Sequence, residues 1–126
     1  MCKLRDDNGF TLLEILVAIT LLCIGLLAMA ALTAGIMRGN LFSNQLTTAT
    51  TLAQDKMEDI RRLGYSGTPT SDTTTTEDYN SIPNYPAYKR VTFTDVGNPT
   101  GMKTVTVTVY WDSDAHSVEL KTILAQ

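Results

Sequence analysis

The sequence predicts an α+β fold in which one long N-terminal helix packs on a three-stranded antiparallel sheet. An apolar run extends from Phe10 to Met37 and contains a single charged residue, Glu14. An amphipathic stripe follows this run, and three later segments alternate between apolar and polar residues. Period-two alternation is typical of strands with one covered face, and the amphipathic stripe is the cover that the chain offers.

Composition divides the 126 residues into five segments along the chain. A membrane-spanning helix needs about 20 mostly apolar residues, so the second segment is long enough to cross a bilayer. The segments are a polar leader (1–9), the membrane half of the helix (10–37), its amphipathic half (38–64), a Thr- and Pro-rich loop (65–87) and the antiparallel sheet (88–126).

The apolar run has a slight charge bias that predicts its orientation. Lys3 and Arg5 precede it and only Arg38 lies close behind it, which favours a cytoplasmic N-terminus. A conventional signal peptide is the alternative interpretation, because Ala28-Met29-Ala30 fits a small-residue cleavage site. Glu14 interrupts the apolar region and the run continues beyond that cleavage site, and both observations argue against it.

Glu14 is the one acid inside the apolar run. A charged residue at the centre of a membrane helix costs about 2.5–3.5 kcal/mol on insertion scales. One interpretation is an interfacial acid within a turn of Phe10, where the helix dipole favours negative charge. The other is an acid that needs a cationic partner inside the membrane. Cleavage just before Phe10 would create such a partner, because it releases a new α-amino group.

The stretch GFTLLEILVA, residues 9–18, resembles the N-terminal signature of type IV prepilins and of the pseudopilins of type II secretion. The resemblance implies a pilin-like fold with a prepilin leader. It implies that a prepilin peptidase cuts between Gly9 and Phe10 and that Phe10 becomes N-methylated. It also implies that Glu14 pairs with the amino terminus of a neighbouring subunit. The stretches 53–58 and 110–112 look like those of PilV-type minor pilins and the corresponding pseudopilins.

The chain departs from the usual family pattern in three places. Asp6 and Asp7 lie close to the predicted cut, where the family usually has basic residues. Ala31 stands where major pilins often have a proline that bends the helix. Cys2 lies in the leader and Cys23 in the apolar run, so the remaining segments contain no cysteine for a C-terminal disulfide.

Further predictions concern the packing of the helix, its end and the strands that follow it. Gly35 and Gly39 form a G-x-x-x-G step that allows close helix packing, although small residues are also common in membrane helices generally. The helix is predicted to end at Leu63 with Gly64 as its C-cap. The amphipathic stripe runs from Phe42 to Ile60. The predicted strands are Tyr88–Asp95, Lys103–Trp111 and Ser117–Leu124.

Side-chain orientation along these strands follows from the alternation. In the first strand Val91 and Phe93 share one face and the threonines between them the other, and in the second the valines oppose the threonines. Segment 65–87 is predicted to be an irregular connection. It is either a solvated linker or a functional segment, namely an exposed epitope, a glycan-bearing segment or a subunit contact.

Nothing in the sequence predicts catalysis. His116 is the single histidine and lies in a predicted hairpin turn, and Asp112 and Asp114 form only a fragment of a calcium loop. No cofactor-binding or metal-binding spacing occurs, and a net charge of -3 without a basic patch argues against nucleic acid as a partner. The sequence therefore predicts a protein that is not an enzyme.

The leading prediction is a minor type IV pilin that resembles the PilV type, held in the inner membrane with its C-terminal part in the periplasm until it joins a pilus. Its implied partners are the prepilin peptidase, other pilin or pseudopilin subunits and the inner membrane. One alternative is a minor pseudopilin of a type II secretion system. An alternative from another class is a bitopic membrane protein with a small periplasmic binding domain.

Overall fold

The structure is a computed structural model that describes residues 11–97 and 101–126. The chain divides into an N-terminal unit, Met1–Leu41, and a C-terminal unit, Phe42–Gln126. Neighbouring strands pair antiparallel in a sheet of order β1-β2-β3-β4. The elements are α1 (Leu12–Gly67), β1 (Thr73–Glu77), β2 (Tyr88–Asp95), β3 (Met102–Trp111) and β4 (His116–Ala125).

The prediction of a long N-terminal helix packed on an antiparallel sheet is confirmed, but the sheet has four strands and not three. The additional strand, β1, lies inside the segment that was predicted to be irregular. Its four threonines, Thr73–Thr76, pair with β2 in the register Thr74↔Phe93 and Thr76↔Val91. Threonine is β-branched and suits an extended chain, whereas its polarity suggested a loop. Polarity does not exclude an edge strand, because water can reach its side chains.

The core of the C-terminal unit lies between α1 and β3. The predicted face of β3 is confirmed, because Val105, Val107 and Val109 are all completely buried. The helix covers them with the middle of its predicted stripe. The buried helical residues are Ala49, Leu52, Ala53, Met57 and Ile60. The start of the stripe stays at the surface, since Phe42 is 44% exposed and Leu46 is 39% exposed.

Strand β2 turns its threonines, and not its apolar residues, toward the helix. Thr92 and Thr94 are buried, while Phe93 is 41% exposed on the other face. The pairing explains this orientation, because Thr92 lies opposite Val107 and residues opposite each other in a sheet share a face. The buried valines of β3 therefore decide which face of β2 is inside.

The end of α1 is held by a buried lysine. Gly64 has φ 69° and ψ -173°, a conformation open essentially only to glycine, and it kinks the helix before its end at Gly67. The predicted C-cap is thus a kink, and α1 runs four residues past the predicted Leu63. Lys103 of β3 is 2% exposed, and its ammonium group donates hydrogen bonds to the carbonyl oxygens of Tyr65 (2.6 Å) and Thr68 (3.0 Å).

The orientation of β3 leads to a stability prediction. We expect Val107→Asp to lower the free energy of unfolding of the C-terminal unit by more than about 3 kcal/mol, because it buries an unpaired charge. Thr106→Asp is the matched control, since Thr106 lies on the opposite face, and should cost less than about 1 kcal/mol. Denaturant unfolding of the expressed unit measures both changes, and equal losses would contradict the register.

Candidate processing and assembly site

The predicted cleavage junction between Gly9 and Phe10 lies outside the described residues and stays a prediction. The described chain starts at Thr11, which caps α1. The Thr11 hydroxyl and carbonyl oxygens both accept a hydrogen bond from the backbone N–H of Glu14, at 3.3 Å and 3.0 Å. A capping hydroxyl satisfies one of the N–H groups that the first turn leaves unpaired. Sequence reasoning missed this cap, although the T-x-x-E spacing from Thr11 to Glu14 is its usual signal.

Glu14 lies in the first turn of α1 and is exposed. A negative charge there interacts favourably with the helix dipole, by about 0.3–1 kcal/mol at an exposed position. The next cationic residue along the chain is Arg38, about 36 Å away at 1.5 Å per helical residue. The rest of the described N-terminal unit therefore places no cationic side chain beside this acid.

The first half of α1 exposes its apolar side chains on all sides. Leu12 is 85% exposed, Leu27 is 71% exposed and Leu32 is 67% exposed. Among the described residues α1 is the one helix that is long and apolar enough to cross a membrane, and none of its most apolar stretch is buried inside the protein. So large an uncovered apolar surface is typical of a segment that contacts lipid or other chains.

The hydroxyls of Thr20 and Thr33 within this run are satisfied by the helix itself. The hydroxyl of Thr20 donates to the carbonyl oxygen of Leu16 at 2.8 Å, and that of Thr33 donates to the carbonyl oxygen of Met29 at 2.9 Å. This back-bonding gives each of the two hydroxyl hydrogens an acceptor, which an apolar environment would not supply. The two threonines are therefore compatible with a position in lipid.

The glycines of the run have open space around them. A side chain added at Gly25, Gly35 or Gly39 would meet no atom within 4 Å among the described residues. No close approach within this chain therefore requires a glycine at these three positions. The predicted role of Gly35 and Gly39 in helix packing would have to involve other chains.

Taken together, this surface combines an acid at a helix start, an apolar cylinder and a small-residue step. Such a surface can insert into lipid or bind similar helices. Within the described part of the chain, no group of three or more His, Cys, Asp or Glu side chains is placed to hold a metal ion.

A family model of the prokaryotic N-terminal methylation motif matches residues 4–30. This segment is a type IV pilin-type methylation motif. The motif indicates a type IV pilin-like or pseudopilin-like protein, and it indicates a structural subunit rather than an enzyme. It implies processing by a prepilin peptidase and assembly with other pilins. No curated protein and no solved structure matches the chain.

The C-terminal unit has its own polar anchor between helix and sheet, which sequence reasoning missed. The guanidinium of Arg90 donates two hydrogen bonds to the carboxylate of Glu77, at 2.6 and 2.8 Å, and a third to the carbonyl oxygen of Leu52 in α1 at 3.0 Å. Lys56 of α1 lies 3.6 Å from the same carboxylate. These hydrogen bonds and the charge of Arg90 hold the pKa of Glu77 below its usual range.

A second polar cluster fixes the loop before β2 to the β3–β4 turn. Tyr79 donates a hydrogen bond to the Asp114 carboxylate at 2.9 Å and accepts one from the Asp114 backbone N–H at 3.0 Å. Lys89 pairs with the other carboxylate oxygen of Asp114. The hydrogen bonds from Lys89 and Tyr79 lower the pKa of Asp114. The cluster thus holds the second half of segment 65–87 against the β3–β4 turn.

These lowered pKa values predict acid sensitivity. Because the folded pKa of Glu77 lies below its unfolded value of about 4.3, the unfolded state binds more protons between the two values, and stability falls as the pH drops through that interval. Asp114 acts in the same direction. We expect the melting temperature of the C-terminal unit to decrease when the pH is lowered below about 4.5.

Glu77→Gln separates this contribution from those of the other acids. The variant should melt at a lower temperature than the parent at pH 7, and the difference between the two should shrink as the pH falls. Thermal melts of both proteins from pH 7 to pH 3 measure it. A difference that stays constant with pH would contradict a role for the Glu77 carboxylate charge.

Proposed function

We propose that this protein is a minor type IV pilin, similar to the PilV type, that is held in the inner membrane and then enters or initiates a pilus. The observation that carries the proposal is the methylation motif at residues 4–30, which includes most of the uncovered apolar half of α1. In this role the apolar half of α1 lies in the membrane before assembly and in a helix bundle afterwards.

The proposed processing has two steps at one junction. The prepilin peptidase cuts the Gly9–Phe10 bond, and the new amino group of Phe10 is methylated. The proposed topology has the leader in the cytoplasm and the C-terminal unit in the periplasm. It is supported by Lys3 and Arg5 before the apolar run.

Glu14 is proposed to bind the amino group of Phe10 in a neighbouring subunit. A lone carboxylate in an apolar bundle is costly, and so is a lone ammonium, but the two together offset each other. The exposed position of Glu14 in the first turn supports this role, because it lies close in sequence to the proposed new terminus.

A minor pseudopilin of a type II secretion system would share the processing and the pairing at Glu14. The two roles differ in their consequences for the cell. Deletion of the gene should reduce surface pili and leave secretion unchanged if the protein is a pilin, and the reverse result would assign it to secretion.

The first prediction concerns cleavage. The mature chain should begin at N-methylated Phe10, and Gly9→Val should leave the precursor uncut, because a branched side chain obstructs approach of the peptidase to the backbone. Intact mass spectrometry of protein from membranes and sheared filaments measures both results. A mature chain that starts at Ala31, or one that still carries Met1, would refute the proposed processing.

The second prediction concerns Glu14. Glu14→Ala should leave membrane insertion and cleavage intact but reduce incorporation into filaments, because an unpaired buried amino group costs about 3–5 kcal/mol. Glu14→Gln keeps a hydrogen-bond acceptor without charge and should fall between. Immunoblots of membrane and sheared-filament fractions compare the three proteins. Equal filament signals at equal membrane levels would show that Glu14 is only an interfacial acid.

A further inference from the structure

The C-terminal unit exposes three ring side chains where it begins, and we call Phe42, Tyr85 and His116 the aromatic rim. Phe42 is 44% exposed, Tyr85 39%, and the His116 side chain 44%. The ring centroids of Phe42 and His116 are 5.2 Å apart in an edge-on arrangement. Two buried rings, Tyr88 and Trp111, support the rim from behind at 6.3 Å from Tyr85 and from Phe42.

Chain connectivity sets an upper limit on the distance between Phe42 and the end of the apolar run. Arg38 is the first charged residue after the run, and Phe42 follows it by four residues. Four residues span at most about 14 Å even when fully extended. Phe42 therefore lies within that distance of Arg38 whatever the orientation of the two units, and His116 is in contact with Phe42. Phe42 thus lies near the end of the apolar run along the chain, and His116 is its neighbour in space.

The chemistry of the rim suits the polar layer of a bilayer. Tyrosine and tryptophan, whose rings have an apolar body and a polar edge, are enriched at the level of the lipid headgroups, and Tyr85 is the rim residue of this kind. The turn beside the rim carries Asp112, 69% exposed, and Asp114, 48% exposed, and Lys89 pairs with Asp114. Arg38 is the further cation that chain connectivity keeps within about 14 Å of Phe42. This acidic turn is repelled by anionic lipid and tolerated by zwitterionic lipid.

We propose that the aromatic rim rests in the headgroup layer of zwitterionic lipid while the subunit is held in the membrane. The surface would keep the C-terminal unit against the bilayer before assembly and would have to leave it when the subunit enters a filament. This inference rests on the membrane anchoring in the proposed function.

Spin-label accessibility in the full chain tests the proposal. A nitroxide on Ala115, which lies in the turn next to His116, reports on the rim, and one on the exposed Lys121 of β4 is the matched control. Both are attached through introduced cysteines in a Cys2→Ser/Cys23→Ala background. A nitroxide on native Cys23, in a Cys2→Ser chain, reports on the anchor. The protein is placed at low density in phosphatidylcholine vesicles, and collisions with oxygen and with a water-soluble nickel complex are measured.

We expect the label at Ala115 to collide severalfold less often with the nickel complex than the label at Lys121. The label at Cys23 should collide frequently with oxygen. Equal nickel collisions at Ala115 and Lys121, with Cys23 in the lipid, would overturn the proposed surface and leave the anchor standing. A Cys23 label exposed to nickel would overturn the anchor and the surface together. Protection of Lys121 as well as Ala115 would overturn the assignment to the rim.

Two further measurements test the chemistry. Phe42→Ser/Tyr85→Ser, with its fold checked by circular dichroism, should raise nickel collisions at Ala115 severalfold, and no rise would overturn the role of the rings. Vesicles of phosphatidylglycerol at low salt should give less protection at Ala115 than phosphatidylcholine. Equal protection in the two lipids would overturn the preference for a zwitterionic surface.

Discussion

The burial of one face of β3 against α1 is the constraint from which the rest of the C-terminal unit follows. Because successive residues of a strand point to opposite faces, burial of Val107 fixes the orientation of every other residue of β3. Pairing then imposes the same choice on β2, so that Thr92 and Arg90 face the helix and Phe93 faces solvent. Lys103 is drawn inside by the same alternation, and its ammonium is satisfied by carbonyl oxygens at the end of α1.

The helix α1 has two halves whose surfaces need different surroundings. The second half finds its cover within the chain, on the sheet. The first half exposes leucines and isoleucines in every direction, and nothing among the described residues covers its most apolar stretch. Its threonine hydroxyls bond back to the helix at Thr20 and Thr33, so that half presents few unsatisfied polar groups to lipid. The C-terminal unit is thus self-sufficient in packing, and the N-terminal half of the helix depends on lipid or on other chains.

Much of the fold could be predicted because hydrophobic periodicity reports directly on burial. The helix, β2, β3 and β4 follow from it. Strand β1 could not be found in this way, since Thr73–Thr76 carry no alternation and an edge strand can be polar on both faces. The inward positions of Arg90 and Lys103 also contradict simple hydrophobicity. A charged side chain is buried only where acceptors for its hydrogen bonds are present. The sequence does not show that the Leu52 carbonyl lies beside Arg90 or the Tyr65 carbonyl beside Lys103.

Most of the candidate site could be predicted from the sequence, because its motif is a short contiguous stretch. The methylation motif is a contiguous stretch, and residues such as Glu14 can be located without any knowledge of tertiary structure. What the structure adds is the Thr11 cap, after which α1 begins at Leu12. A helix that begins there keeps the acid in its first turn, where the dipole and the proximity of the headgroups both reduce the cost of a charge. The same position leaves the acid exposed at the start of α1, where a cationic partner can approach it. In the proposed role one carboxylate at the helix start would serve both the anchored and the assembled subunit, whereas an acid in the middle of the run would be costly in lipid.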